Sequence, residues 1–261
     1  MAEWNAEEYN RQSTLQQTMA AEVLALLHLK GTERVLDVGC GDGKITAEIA
    51  ARLPQGSVVG IDPSRSMIDF ASNHFASANS HLQFQVADAR NLPFQEEFDL
   101  VVSFNALHWI PDQDAALLSI HRALKPQGTA QLRLVAAGER KSLENVIEET
   151  RQSPRWAQYF SNFRDPYLHL TPEQYAAAAE RNGFRVTSMH MESKAWDFGS
   201  RAAFFAFGTA TFTEWTRLLP EAEKPAFIND ALDRYRQEVV NQSGEENTFK
   251  FYQLNITLSR A

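Results

Sequence analysis

The sequence predicts an α/β fold: a doubly wound, mostly parallel sheet of seven strands, with an N-terminal helix and a helical cap. Three observations predict it. Short apolar runs alternate with amphipathic stretches from Arg34 to Ala136, the rhythm of right-handed strand–helix–strand crossovers. The first run enters a glycine-dense loop that leads straight into a helix. After Gly138 the rhythm changes to aromatic-rich helical stretches interrupted by two late alternating runs.

Residues 1–14 are polar. Leu15, Met19, Val23, Leu26 and Leu27 recur at helical spacing, and Gly31 stops that helix. Arg34 to Val38 is the first strand, and Lys44 to Leu53 the first crossover helix, closed by Pro54-Gln55-Gly56. Ser57 to Ile61 is a strand ending at Asp62-Pro63, and Ser66 to Phe75 a helix. Leu82 to Val86 and Phe98 to Phe104 are strands, followed by a helix from Asp112 to Leu124. Lys125-Pro126-Gln127-Gly128 stops that helix, and Thr129 to Ala136 is a strand. Residues 139–163 read as helical, with Trp156, Tyr159, Phe160 and Phe163. Thr171-Pro172-Glu173 opens the next helix, with Thr171 as N-cap and Pro172 at its first position. Asn182-Gly183 closes it. Phe184 to Glu192 and Thr248 to Leu258 alternate as strands, and residues 200–240 are helical.

The chain divides accordingly. Residues 1–30 form an N-terminal lid or helix segment, and 31–137 the ligand-binding core. Residues 138–182 and 197–245 form a cap over a substrate pocket, while 183–196 and 246–261 complete the sheet.

A net charge of −8 repels phosphate backbones, so the expected partner is a small molecule and not nucleic acid. The single cysteine, Cys40, rules out an intrachain disulfide and a cysteine-based metal site. No run approaches the length of a membrane span, and the start lacks a basic, apolar leader. The expectation is a cytoplasmic monomer or homodimer with no membrane partner and no metal.

The chemistry concentrates at Asp37-Val38-Gly39-Cys40-Gly41-Asp42-Gly43. Glycines let the backbone turn sharply and approach a ligand closely. The following helix offers a partly positive N-terminus. Dinucleotide sites use a longer glycine spacing, and Asp42 would oppose a pyrophosphate with like charge, which argues against a dinucleotide. Asp62, about twenty residues on, ends the second strand, where a carboxylate can accept hydrogen bonds from both ribose hydroxyls of an adenosine ligand. Asp88 follows the third strand and can receive an adenine amino group; each acid alone could equally be a helix N-cap.

Val-Leu-Asp-Val-Gly-Cys-Gly-Asp-Gly (35–43), Gly-Ile-Asp-Pro-Ser (60–64), Val-Ala-Asp-Ala (86–89), Phe-Asp-Leu-Val-Val-Ser (98–103) and Leu-Lys-Pro-Gln-Gly (124–128) resemble the successive motifs of class I S-adenosylmethionine-dependent methyltransferases. The resemblance covers residues 31–137 and implies a Rossmann-like core with S-adenosyl-L-methionine as cofactor. It implies that Asp37, Gly39, Cys40, Gly41 and Gly43 hold the methionyl part and that Asp62 holds the ribose. Pro63, Met67, Asp88 and Ala89 fall on the adenine side, and Asn105 and Leu107 follow the fourth strand. A narrower resemblance rests on Tyr9 to Gln16, Cys40 to Thr46 and Ser103 to Trp109, which look like juvenile hormone acid methyltransferases. Trp4-Asn5, Tyr9 and the long helical tail look like trans-aconitate methyltransferases. Both families methylate carboxylates of small acids. The first implies that Gln16 and Trp109 contact the acceptor carboxylate.

A carboxylate is ionised near neutral pH and needs no general base, so neutral donors such as Gln16 and Trp109 suit it. His108 as a base would instead suit a phenol, amine or carbon acid. Arg133 and Arg164 are conceivable anchors for a second acid group, or ordinary ion pairs. Phe204, Phe205, Phe207, Phe212 and Trp215 either roof a pocket or form core. A third reading is a cofactor-binding protein without catalysis.

Overall fold

The computed structural model describes residues 19, 22–76, 80–240 and 243–260. Its seven strands form one sheet in the order β3-β2-β1-β4-β5-β7-β6. These are β1 (Arg34–Val38), β2 (Ser57–Asp62), β3 (Leu82–Val86), β4 (Phe98–Phe104), β5 (Leu124–Ala136), β6 (Phe184–Asp197) and β7 (Thr248–Arg260). The first five run parallel, and β7 enters antiparallel between β5 and β6. Near-continuous burial along β1, β2 and β4 reflects a sheet covered on both faces. The chain steps outward from β1 to β2 to β3, then returns to the other side of β1 as β4. Strand order therefore reverses between β1 and β4. The carboxyl ends there open the crevice in which such sheets bind ligands.

Helices α1 (Lys44–Ala51), α2 (Arg65–Phe75), α3 (Gln113–Ala123), α4 (Leu143–Arg151), α5 (Pro172–Arg181), α6 (Arg201–Thr211), α7 (Thr213–Thr216) and α8 (Lys224–Glu238) complete the layers. The starts of α2 to α6 are set by side chains that satisfy orphan backbone N–H groups. The Ser64 hydroxyl accepts from Met67 N–H, and the Asp112 carboxylate from Ala115 N–H. Thr171 and Gln174 form a reciprocal capping box ahead of α5.

One core packs α3 and α5 on the sheet through Leu117, Ile120, Tyr175 and Ala179. A second, around Val35, Ile49, Leu53 and Val58, seats α1 and reaches Leu24 and Leu27 of the N-terminal segment. A third is the cap itself: Trp156, Phe160, Phe204, Phe212, Trp215 and Phe227 are buried together. The aromatics of 204–215 thus form core, and the partly buried Phe205 and Phe207 pack against it.

Three sequence expectations need correction. Residues 139–163 are not one helix: α4 stops at Arg151, and a short 3-10 turn at Ala157–Tyr159 carries the aromatics onward. The apolar spacing there serves packing of Trp156 and Phe160 against Phe227, which irregular backbone satisfies equally well. Strand β5 begins at Leu124, through the expected stop sequence, with Gln127 at φ 68°. Strand β6 continues five residues beyond Glu192 to Asp197, because β7 offers pairing partners as far as Thr248.

Candidate functional site

The bend after β1 is stitched to the end of β2. Gly39 N–H and Cys40 N–H both donate to the Ile61 carbonyl, at 2.8 and 2.9 Å. Two donors on one acceptor hold the loop in a fixed curve. Gly39 has φ 79°, and a side chain there would overlap the Ala106 methyl, so the bend lies against the loop after β4. Gly41, at φ 54°, has no atom within 4 Å of where a Cβ would stand. Its missing side chain leaves open space that a ligand can fill.

Asp62 ties this bend to the second strand. Its Oδ2 accepts from Gly41 N–H at 3.1 Å and its Oδ1 from Ser64 N–H at 2.9 Å. Asp37 is buried, and its Oδ2 accepts from the Thr46 hydroxyl at 2.7 Å. Burial, reinforced by the charge of Asp62, pushes the Asp37 carboxyl up to about 7 against the opposing effect of Thr46. Cys40 is buried beside the same acids, and burial followed by the charges of Asp37 and Asp62 drives its thiol well above the usual range. It is a filler and not a nucleophile.

Asp88 starts a 3-10 turn, Ala89–Asn91, by accepting from Arg90 N–H at 2.9 Å. The Arg90 guanidinium also pairs with it at 2.5 Å, which holds its carboxyl below the usual range. The N-cap reading and the ligand-facing position coexist in this one residue. Asn105, at φ 56°, donates its N–H to the Arg133 carbonyl at 2.7 Å and accepts from Gln253 Nε2 at 3.0 Å.

These groups line one cavity of about 270 Å³ at the strand-order reversal. Asp37, Gly39, Cys40, Gly41, Asp62, Pro63, Met67, Asp88, Ala89, Asn105 and Leu107 all face it, with Trp109. The carboxylates of Asp37, Asp42, Asp62 and Asp88 make a wall suited to a cation. Acceptors at the second and third strand tips, with an open glycine bend at the first, fit a nucleoside carrying a positive group.

Two expected residues lie elsewhere. Gly43 is outside the lining; it starts α1 at φ 82°, and a Cβ there would come within 2.6 Å of Ala71 and 2.8 Å of Phe84. It permits close packing of α1. His108 is buried and turned behind the pocket wall, where its Nδ1 accepts from Val135 N–H at 3.2 Å. Burial, then the neighbouring His169, hold it well below the ordinary imidazole range. Its proton therefore sits on Nε2, and no ring lone pair is available to take one from an acceptor. The reason is local: Leu107 to Trp109 is a 3-10 turn, so adjacent side chains point apart, and Trp109 faces the cavity. Trp109 is held by an edge-on contact with Tyr167, centroids 4.3 Å apart.

Arg164 is exposed. Arg133 is buried beneath the N-terminal segment, where its guanidinium pairs with Glu22, as does Lys194 at 2.7 Å. Met19 and Val23 of that segment reach the cavity. Gln16 lies outside the described residues.

Sequence reading missed Pro166 and Glu214, which line the cavity from the cap. Glu214 is 5% exposed and accepts from Arg217 Nε at 3.0 Å. Neither carries a local motif. Among the described residues, no helix is long and apolar enough to cross a membrane, and no cluster of histidine, cysteine and acids could hold a metal.

Comparison with known proteins agrees with this geometry. A family profile described as a methyltransferase domain matches residues 35–128. Trans-aconitate 2-methyltransferase of Shigella dysenteriae serotype 1 is 30% identical over 253 residues, covering 93% of this chain and 90% of that protein. The YcgJ protein of Bacillus subtilis superposes with a TM-score of 0.63 at 17% identity, covering 94% of this chain and 98% of that one. A phosphoethanolamine N-methyltransferase 2 of Haemonchus contortus, solved with S-adenosyl-L-methionine, superposes with a TM-score of 0.59 at 19% identity, covering 94% of this chain and 52% of that one. At these identities the two structures speak for the fold.

Proposed function

We propose that this chain, which belongs to the class I S-adenosylmethionine-dependent methyltransferases, methylates a carboxylate oxygen of a small organic acid. The family membership carries the cofactor, S-adenosylmethionine, and the reaction type, methyl transfer. The acceptor class rests on one observation above others: His108, the histidine next to the cavity wall, has its Nδ1 engaged by Val135 N–H. A reaction that needs a proton removed from a phenol, amine or carbon acid gets no help from it. A carboxylate needs none. The likeness to a trans-aconitate methyltransferase over most of both chains supports the same choice.

Bound in this cavity, the cofactor supplies an electrophilic methyl on a sulfonium. We assign Asp62 to accept from the ribose hydroxyls, and Pro63, Met67, Asp88 and Ala89 to bracket the adenine. Gly39, Cys40, Gly41, Asn105 and Leu107 cradle the methionyl part, with Asp37 supplying negative charge near it. Gly43 supports the cradle from behind. The acceptor carboxylate must lie in line with the departing sulfur, so orientation is the protein's main task. We assign the Trp109 indole N–H as a neutral donor that orients it without quenching its charge. The cap contributes the far wall through Pro166 and Glu214. The N-terminal segment acts as a lid, a role supported by Met19 and Val23 at the cavity and by the grip of Arg133 and Lys194 on Glu22.

Incubation of the purified protein with labelled S-adenosylmethionine and a panel of small carboxylic acids tests this. Base-labile methyl esters are the expected product. Label appearing only in amines or phenols would refute the acceptor class, and cofactor binding with no transfer to any acceptor class would leave a silent binding protein instead.

A further inference from the structure

Methyl transfer needs a closely aligned acceptor, and the turn that carries Trp109 does not supply that alignment by itself. A displacement of about 1 Å at the reacting centre can cost about 100-fold in rate. Trp109 ends a three-residue 3-10 turn. The outer torsion of a tryptophan side chain is broad, so the backbone leaves the plane of the indole open. Packing has to fix it. Among the described residues, the ring nearest to Trp109 is that of Tyr167, with centroids 4.3 Å apart and planes at 74°. The rings of His108 and Trp215 lie farther off, at 6.0 and 6.4 Å. A ring edge set on a ring face resists tilting, because the two quadrupoles attract in that arrangement.

Tyr167 is itself held from several directions. Its backbone N–H donates to Asp165 Oδ1 at 2.9 Å, and the next N–H, of Leu168, donates to the His108 carbonyl at 2.9 Å. The second bond ties this segment to the turn that bears Trp109. The Tyr167 ring meets His169 edge-on at 4.5 Å and His108 at 4.9 Å. From the cap, Trp215 reaches it at 6.4 Å, and the Trp215 indole N–H is pinned to Glu148 Oε1 at 2.6 Å. Burial, then the charge of Glu144, hold the Tyr167 phenol well above its ordinary range, so it stays neutral. Pro166 lines the cavity, but Tyr167 does not. Its influence on a bound acceptor therefore passes through the ring it braces.

We infer that Tyr167 is a positioning residue: it sets the plane of the Trp109 indole, and thereby the line along which the acceptor approaches the methyl group. The inference rests on the assignment of Trp109 to the acceptor. It adds that the cap, through Trp215 and Tyr167, governs the alignment. Tyr167 touches neither the reacting atoms nor the cofactor.

The test measures turnover with S-adenosylmethionine and the best acceptor from the panel above, whatever its class, and cofactor affinity by calorimetry. Tyr167→Leu, and Tyr167→Met as a fuller replacement, remove the ring edge. Each is expected to lower kcat by about tenfold, with the acceptor KM and the cofactor affinity within about twofold of wild type. Tyr167→Phe restores the ring and should recover kcat. Adding Tyr167→Leu to Trp109→Leu should cost no more than about twofold further, since the ring to be positioned is gone. Wild-type kcat in both ring-less variants would overturn the inference. So would full multiplication of the two losses in the double variant, a Tyr167→Phe protein as slow as Tyr167→Leu, or loss of cofactor binding together with turnover in both ring-less variants. The earlier reading fails on different results. Full turnover in Trp109→Phe would cancel the indole as a donor, and label found only in amines or phenols would cancel the carboxylate. In either case the double-variant comparison still decides the role of Tyr167.

Discussion

On the parallel side of the sheet, β1, β2, β3 and β4 deliver Asp37, Asp62, Asp88 and Asn105 from strand tips; the three acids are fixed by partners within a short stretch of chain, and Asn105 by Arg133 of β5 and Gln253 of β7. On the antiparallel side, β5, β7 and β6 carry a cap that reaches the cavity through Pro166 and Glu214. Those two are placed by packing between distant segments, such as Trp215 on Glu148, 67 residues away. The first arrangement is rigid, written locally, and suited to a ligand that never changes. The second can alter its lining without disturbing the backbone of the first, which is where acceptor specificity can diverge.

Five perturbations probe that division. The largest effect is expected for Gly39→Ala on the parallel side. The new methyl overlaps Ala106, and φ 79° is strained for alanine, so the cost is about 1–3 kcal/mol before any clash. Calorimetry should detect no cofactor binding, and a normal isotherm would break the claim that this bend is the cradle. Asp62→Ala removes both the proposed ribose acceptor and the ties to Gly41 and Ser64. An affinity loss of about 100-fold, or about 2.7 kcal/mol, is expected; unchanged affinity would strip Asp62 of its role. Trp109→Phe preserves the packing on Tyr167 yet deletes the indole donor. We expect cofactor affinity within about twofold of wild type and turnover lower by about tenfold or more, and equal turnover would remove Trp109 from acceptor binding.

The fourth perturbation is pH. The Asp37 carboxyl is raised to about 7 from an ordinary 3.8, so the folded state holds its proton to higher pH than the unfolded chain. Apo-protein stability therefore falls as pH rises from about 4 to about 7, where the folded state keeps a proton the unfolded chain has lost, and levels off once the buried group ionises above 7. A sulfonium prefers the ionised form. Affinity for S-adenosylmethionine should therefore fall by about tenfold from pH 8 to pH 6, while the uncharged S-adenosylhomocysteine should show a weaker dependence. Parallel curves for the two would show that Asp37 does not sense the methyl-bearing charge. The smallest effect is expected for Glu22→Gln, which weakens the grip of Arg133 and Lys194 on the N-terminal segment. A cofactor off-rate faster by about threefold in stopped flow is the expected result, and an unaltered rate would argue against a lid.

The same division explains what could be read in the sequence. Strands β1, β3 and β4 match their expected limits because turn residues bracket strong apolar runs. The cavity acids were legible because strand tips, glycines and carboxylates fall at short, fixed separations. Gly43 and His108 were misplaced because neighbours in sequence can face opposite sides of a wall, and periodicity does not say which side a 3-10 turn presents. Arg90, two residues beyond Asp88, was a visible signal of the ion pair that engages this acid. Glu214 had none, since its orientation depends on Glu148 and on the aromatic cluster around it.

Glu22 has a consequence for how the molecule is built. Its two partners are 111 and 172 residues further along the chain, so the segment cannot seat during synthesis until β6 has left the ribosome. Among the described strands, β6 in turn pairs with β7 alone, which follows it in the chain. The cavity rim made by the earliest described residues is thus assembled after the described strands that form the nucleoside cleft. A nascent chain would pass through a stage with its nucleoside cleft formed but open on one side, when early capture of the ligand could favour completion.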